Sequence, residues 1–253
     1  MARLLRDPLL ALFRLILIAL FVVIFGVFGT IFCLFRPFNP KNVHFFAQTF
    51  SKMAKVLGVN LLIRRAPGAE TSSPCLIIAN HQNSYDIFTI SGALPPRGVT
   101  IGKKSLKWIP FFGWLYWLSG NILINRNDRR AAQKTLQQTA DIITQQNVSV
   151  WMFPEGTRSY GKGLLKFKRG AFELANVANV PVMPICMSTT TGKIKLNRWN
   201  NGTVIIDIMA PRELTAEQKK NSRVAADEYH ALLKDKLEQL DAEVDQINQG
   251  ITA

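Results

Sequence analysis

An α/β fold, with a sheet flanked by helices and a two-helix membrane anchor ahead of it, is what the sequence predicts. Three observations predict it. From about Leu61 onward, short apolar runs alternate with helix-like stretches, the pattern of a sheet covered by helices. Near the N-terminus, 21 residues between Arg14 and Arg36 carry no charge at all. Directly after Pro40, apolar residues recur at spacings of three and four.

The charge-free segment, LILIALFVVIFGVFGTIFCLF, is long enough to cross a hydrocarbon core of about 30 Å. It is a poor signal peptide, because its apolar run is too long and ends in Phe35, Arg36 and Pro37 rather than in small residues. Cations flank it on both sides, Arg3, Arg6 and Arg14 before it and Arg36, Lys41, Lys52 and Lys55 after it, so both ends favour the cytoplasmic face. The following pattern, Val43, Phe46, Ala47, Phe50, Ala54 and Leu57, suits a helix lying in the interface. A membrane anchor over residues 1–58 is expected, its first helix embedded or re-entrant with a bend at Gly26 and Gly29. One ordinary span is the alternative. Residues 59–253 then form a cytoplasmic domain.

Within that domain seven strands are expected, at 61–63, 75–79, 99–101, 122–124, 148–153, 182–187 and 204–209. Helices are expected at 105–118, 129–145 and 170–177, and RAPGAETSSP, residues 65–74, reads as a flexible loop. A long charged helix over 215–247 places Tyr229, Leu233, Leu237, Leu240, Val244 and Ile247 on one stripe. That stripe is expected to dock on the domain, with a coiled-coil seam as the alternative.

The 31 Lys and Arg against 17 Asp and Glu give a net charge of +14, which favours polyanionic partners. Anionic lipid or an acidic carrier protein accounts for it, and no nucleic-acid-binding motif accompanies the charge. Cys33, Cys75 and Cys186 are widely spaced in apolar contexts, which points to neither a disulfide framework nor a metal cluster. His44 and His230 have no chemical company in the sequence.

NHQNSYD, residues 80–86, follows the apolar run CLIIA. His81 and Asp86 are five positions apart, a spacing that neither a helix nor a strand brings together. They meet only if the chain turns between them, His81 at a strand end and Asp86 in the first turn of a helix, with Asn80, Asn83 and Ser84 as caps. Asp86 then fixes the imidazole tautomer and leaves the other nitrogen free as a base toward a hydroxyl. The helix N-terminus offers N–H groups for a developing oxyanion. The competing reading is an ordinary capped turn.

FPEGTRS, residues 153–159, also ends an apolar run, where α/β folds place ligands. Gly156 permits a tight turn, Arg158 offers a planar fork for a phosphomonoester, and Glu155 is placed to orient that arginine or a substrate hydroxyl. Lys103 and Lys104 upstream, and Lys166, Lys168 and Arg169 downstream, add cations, although such runs are often solvated faces. GNILINR, residues 120–126, repeats the layout of a strand followed by a cation.

NHQNSYD resembles the NHxxxxD block of the glycerolipid acyltransferases, GNILINR their glycine and arginine block, FPEGTRS their EGTR block, and NVPVMPI, residues 179–185, their proline-containing fourth block. All four stand in the family's order. The resemblance implies a glycerolipid-acyltransferase-type α/β sheet and direct transfer of a fatty acyl group from acyl carrier protein or coenzyme A to the 2-hydroxyl of lysophosphatidic acid. It makes His81 the base and Asp86 its orienter. Glu155, Gly156, Thr157 and Arg158, with Arg126, Lys103 and Lys104, would hold the acceptor, and Pro181 and Pro184 would serve acyl binding or packing. No metal or bound cofactor is implied. Other acceptors, such as glycerol 3-phosphate or a different lysophospholipid, remain open, as does a non-catalytic phospholipid-binding protein. Ser84 is a rival nucleophile. Two positions depart from the family's pattern, Asn125 where relatives often have Asp and Lys166 where proline is expected.

Overall fold

The computed structural model describes residues 7–70, 74–124 and 132–250. Among the described residues there are seven strands, β1 (Asn60–Arg65), β2 (Leu76–Ala79), β3 (Gly98–Lys103), β4 (Ile122–Ile124), β5 (Ser149–Met152), β6 (Val182–Met187) and β7 (Thr203–Ile208). Every one coincides with an expected strand to within two residues at each end. They form one sheet in the order β1-β7-β6-β2-β5-β3-β4. All neighbouring pairs are parallel except β6 and β7. Every residue of β2 and β6 is buried, which is why these central strands read as unbroken apolar runs.

The helices are α1 (Pro8–Phe35), α2 (Pro40–Lys52), α3 (Phe112–Leu118), α4 (Ala132–Gln146), α5 (Gly170–Ala178), α6 (Ala216–Lys220) and α7 (Ser222–Gly250). The helix expected over 105–118 is broken into a 3-10 helix, Lys104–Trp108, and α3. Pro110 is the cause, because it disfavours helical backbone at the residue before it, and Ile109 is extended at φ −72°, ψ 120°. The helix expected over 215–247 is likewise divided at Asn221, which is extended at φ −137°, ψ 94°. Its stripe docks on the domain, with Ala225, Tyr229, Leu233, Leu240 and Val244 buried.

α1 is 28 residues long, about 42 Å at 1.5 Å per residue. Asp7 caps it by accepting from the N–H groups of Leu9 and Leu10, and Pro8 stands in its first turn. Its most apolar stretch has a mean hydropathy of 3.0 and is only 11% buried, unlike a helix of a soluble core. The expected bend at Gly26 and Gly29 is replaced by an unbroken helix in which both glycines are buried. A Cβ on Gly26 would lie 2.4 Å from the Phe111 carbonyl oxygen, and one on Gly29 2.8 Å from a Leu115 methyl. The glycines admit α3 to close contact. α2 is amphipathic, burying Val43, Phe46 and Phe50 in a core continuous with the sheet.

Candidate active site

β2 and β5 are parallel neighbours, with Ile78 opposite Met152, so the NHQNSYD and FPEGTRS segments leave the sheet side by side. They are then joined by their backbones. The Ser159 N–H donates to the His81 carbonyl and the Tyr160 N–H to the Gln82 carbonyl, each at 2.9 Å.

After β2 the chain turns into a 3-10 helix, Ser84–Ile87, which Asn83 caps by accepting from the Tyr85 N–H at 2.8 Å. Asp86 is the third residue of that helix, and its carboxylate folds back over the turn. Its Oδ2 accepts from His81 Nδ1 at 2.6 Å and from the Gln82 N–H at 2.7 Å. The Asn83 N–H contributes at 3.3 Å. The turn demanded by the five-residue spacing is therefore built, and His81 and Asp86 are in contact. Asp86 is 4% exposed, and an ionised carboxylate can only accept, so the proton of this bond is on Nδ1. Nε2 has no protein partner among the described residues. The ring is held flat against Phe153, centroids 3.9 Å apart and planes within 10°.

Of the N–H groups at this helix N-terminus expected to face an oxyanion, only that of Ser84 has no hydrogen-bond partner among the described residues. Those of Gln82 and Asn83 serve Asp86, and that of Tyr85 serves the Asn83 side chain. Asn80 and Ser84 are not caps. The Asn80 amide pairs in both directions with the backbone of Met187, at 2.8 and 2.9 Å. Gln82 donates to the Met187 and Ser188 carbonyls and accepts from the Thr190 N–H. These two residues brace the turn against the end of β6. Ser84 lines the cavity, and among the described residues its hydroxyl makes no hydrogen bond to His81.

Glu155 does not orient Arg158. It is 3% exposed, and its two oxygens accept from the His81 N–H at 2.6 Å and the Leu165 N–H at 2.9 Å. Burial pushes its carboxyl up to about 7, against the opposing pull of those two donors. Arg158 is exposed, bonded to the Tyr160 hydroxyl at 3.2 Å. Gly156 has φ +74°, and a Cβ there would lie 2.6 Å from Lys168 Nζ, so the glycine both makes the turn and admits that ammonium. Lys168 is thereby placed beside the loop.

A cavity of about 490 Å³ opens at this point. One part of its wall carries His81, Ser84, Thr157, Arg158, Tyr160 and Lys103, and another is apolar, with Val43, Phe46 and Phe50 of α2 and Leu106, Phe112 and Leu115 around α3. Lys104 lies outside the lining, as do Pro181 and Pro184. Pro184 is buried within β6, where its carbonyl accepts from the Met209 N–H at 3.0 Å, and the Pro181 carbonyl, just before β6, accepts from the Leu76 N–H at 2.9 Å. Arg126 and Asn125 fall outside the described residues. All three cysteines are fully buried; desolvation raises the thiols of Cys75 and Cys186, which makes neither a nucleophile. Of the remaining histidines, His44 Nδ1 lies 2.9 Å from the Leu94 carbonyl and His230 stands edge-on to Phe167.

The cavity thus combines an imidazole held by a buried carboxylate, the cations Lys103 and Arg158, and an apolar wall. A family described as Acyltransferase matches residues 60–188, which spans β1 to the end of β6 and both strand-end motifs. The 1-acyl-sn-glycerol-3-phosphate acyltransferase of Escherichia coli is 45% identical over 93% of this chain and 96% of its own. That of Haemophilus influenzae is 44% identical over 93% and 98%. The crystal structure of the 1-acyl-sn-glycerophosphate (LPA) acyltransferase from Thermotoga maritima superposes with a TM-score of 0.71 at 26% identity, covering 94% of this chain and 97% of that one. With the same fold, four ordered motifs and this identity over nearly its full length, the chain belongs to the acyltransferase family, together with the bacterial 1-acyl-sn-glycerol-3-phosphate acyltransferases.

Proposed function

We propose that this chain transfers a fatty acyl group from an acyl thioester, carried by acyl carrier protein or coenzyme A, to the 2-hydroxyl of 1-acylglycerol 3-phosphate, forming phosphatidic acid. The observation that carries it is the His81–Asp86 contact in the wall of a cavity with one cationic and one apolar part. His81 Nε2 takes the proton of the 2-hydroxyl as its oxygen attacks the thioester carbonyl. The tetrahedral intermediate then collapses, the C–S bond breaks, and the departing thiolate leaves as the thiol with the proton from His81. Asp86 stabilises the imidazolium in between. A thioester is already activated, so no acyl-enzyme is required. Arg158, with Lys103 and Lys168 nearby, holds the acceptor phosphate, and the apolar wall takes acyl chain.

Residues 1–58 serve as the anchor and the domain after them faces the cytoplasm, on the inner membrane. Two contacts favour an embedded, in-plane α1 over a simple span. Arg14 donates to the carbonyls of Leu196, Arg198 and Trp199 in the α/β domain, and Gly29 abuts α3. The first and last thirds of the helix are thus held along one protein surface, which leaves too short a free length to cross about 30 Å of hydrocarbon.

The test is an assay of the full chain purified in detergent, with a labelled acyl thioester and a panel of lysophospholipids plus glycerol 3-phosphate. Phosphatidic acid from lysophosphatidate is the expected product, and Arg158→Ala should raise the acceptor KM on the order of tenfold for one charge-assisted contact. Product from glycerol 3-phosphate instead would reassign the acceptor. Release of free fatty acid without acceptor, at the same rate, would mark a hydrolase.

A further inference from the structure

We propose that the 3-10 helix Lys104–Trp108 and α3 form a second membrane-inserting element, distinct from the N-terminal helices, which seats in the headgroup region of an anionic bilayer and opens the cavity toward lipid. The segment is KSLKWIPFFGWLYWL, apolar or aromatic from Trp108 to Leu118 and cationic at Lys104 and Lys107. One side is spent on the protein: Leu115 is buried, and Leu106, Phe112 and Tyr116 line the cavity. The other side meets solvent with Trp108 73% exposed, Trp114 63%, Phe111 49% and Trp117 43%. An exposed aromatic patch of this size on a soluble domain marks an interaction surface, and tryptophans at a rim are the residues of membrane interfaces.

The surroundings identify the partner as lipid. The patch continues into the anchor: Phe38, in the loop after α1, stands edge-on to Trp117 at 5.5 Å, and its N–H donates to the Leu118 carbonyl. Phe111 packs backbone-first on Gly26, near the middle of the apolar α1. Charge fits an anionic surface. Lys107 Nζ lies 4.6 Å from the centre of the Trp108 ring, and Arg36 lies over Phe32 at 5.5 Å, while Lys103 and Lys104 are exposed. There is no Asp or Glu between Asp7 and Glu70, nor between Asp86 and Asp128, so both segments of this surface offer cations only. Because the element's inner side lines the cavity, inserting its outer side places the cavity wall at the lipid surface, from which a lysophospholipid can enter without crossing water.

The proposal extends the membrane reading above, and the experiment separates the two. A full-length variant retaining Trp114 alone, with Phe at 108, 117, 151 and 199, is bound to phosphatidylglycerol vesicles whose upper acyl carbons are brominated. Its emission should fall roughly twofold relative to unbrominated vesicles, as expected for a ring about 5–10 Å into the headgroup boundary. Flotation with the vesicles but no quenching would overturn the inserted element alone, and a Trp114-to-Trp114 contact between copies, seen as cross-linking of cysteines placed there, would assign the patch to self-association. Failure to float would overturn both readings. In parallel, W108S/W114S/W117S, checked for native circular dichroism, should retain activity on detergent-dispersed lysophosphatidate within about twofold while losing tenfold or more on vesicle-embedded substrate, on the order of a lost aromatic anchor. Equal activity on both would also overturn the proposal.

Discussion

The His81 backbone N–H donates to Glu155 Oε1 at 2.6 Å. One buried carboxylate therefore ties the turn that carries the dyad to the loop that carries Arg158, and through its second oxygen it holds the Leu165 N–H as well. The imidazole is fixed from the side chain by Asp86 and from the main chain by Glu155.

Glu155→Gln tests that tie. Glutamine offers one acceptor oxygen where the structure uses two, so one buried N–H is left facing an amide, at a cost of about 1–3 kcal/mol. The apparent Tm should fall by roughly 5 °C for a domain of this size, with kcat reduced. The pH dependence has a definite sign. The folded carboxyl titrates at about 7, above the ordinary 4.5, so its contribution is fully present below 4.5 and is lost as pH rises through 7. The Tm difference between parent and variant should be widest near pH 5 and narrow toward pH 8. Parallel curves in thermal melts across that range would contradict the assignment.

Asp86→Asn addresses the chemistry. The Asp86 carboxylate accepts from His81 Nδ1 and from the N–H groups of Gln82 and Asn83 together. An asparagine that keeps the backbone donors satisfied turns its NH₂ toward Nδ1, which forces the proton onto Nε2 and removes the base. The kcat should drop on the order of 10²- to 10⁴-fold, with the acceptor KM changed little. A variant within tenfold of the parent would leave His81 without need of its partner.

The sheet was legible because its strands are buried on both faces and bounded by turn residues, as in CLIIA before Asn80. The dyad was legible because its spacing permits only a turn. What escaped the sequence was non-local. Nothing near Asn80 or Gln82 points to Met187 and Ser188, more than a hundred residues away, and Glu155 beside Arg158 reads as an ion pair until its oxygens are seen to face other backbone. The antiparallel β6–β7 pair had an available signal: residues 188–202 form no helix, whereas a parallel return ordinarily needs one. Gly26 and Gly29 illustrate an ambiguity of another kind, since a bend and a close contact call for the same residue.

Gly26→Val resolves that ambiguity by function. The added Cβ would meet the Phe111 backbone at 2.4 to 2.7 Å, so α3 has to move rather than one flexible side chain. Overpacking of this kind costs about 1–3 kcal/mol, and α3 supplies Phe112, Leu115 and Tyr116 to the cavity. Lower Tm and a shifted preference among acyl chain lengths are expected in a competition assay with mixed thioesters. Gly170→Ala is the control, because nothing lies within 4 Å of its Cβ position and alanine favours a helix by about 1 kcal/mol; it should leave both unchanged or raise Tm. An equally silent Gly26→Val would mean that α1 and α3 are not in contact.

Arg14 is the one charged residue of α1, just ahead of its charge-free run, and it is 3% exposed. Its guanidinium reaches the carbonyls of Leu196, Arg198 and Trp199 at 2.9, 2.5 and 3.1 Å, and the Asp7 N–H donates to the Asn197 carbonyl beside them. A cation within an apolar helix is tolerated when it faces protein and meets backbone carbonyls, and here it clamps the loop between β6 and β7 onto the anchor. Arg14→Met keeps the apolar stem and removes every donor, so the loop should open more often. Lys195 and Arg198 make that opening visible to trypsin, whose cleavage follows the population of the open form when reclosing is fast. Cleavage after these residues should accelerate on the order of tenfold or more for the loss of a charge-assisted bond of about 1.5–3 kcal/mol, with the rest of the digestion pattern unchanged. A digestion profile identical to the parent's would show that the loop holds its place without the arginine, and would remove one of the two contacts that keep α1 along the domain surface.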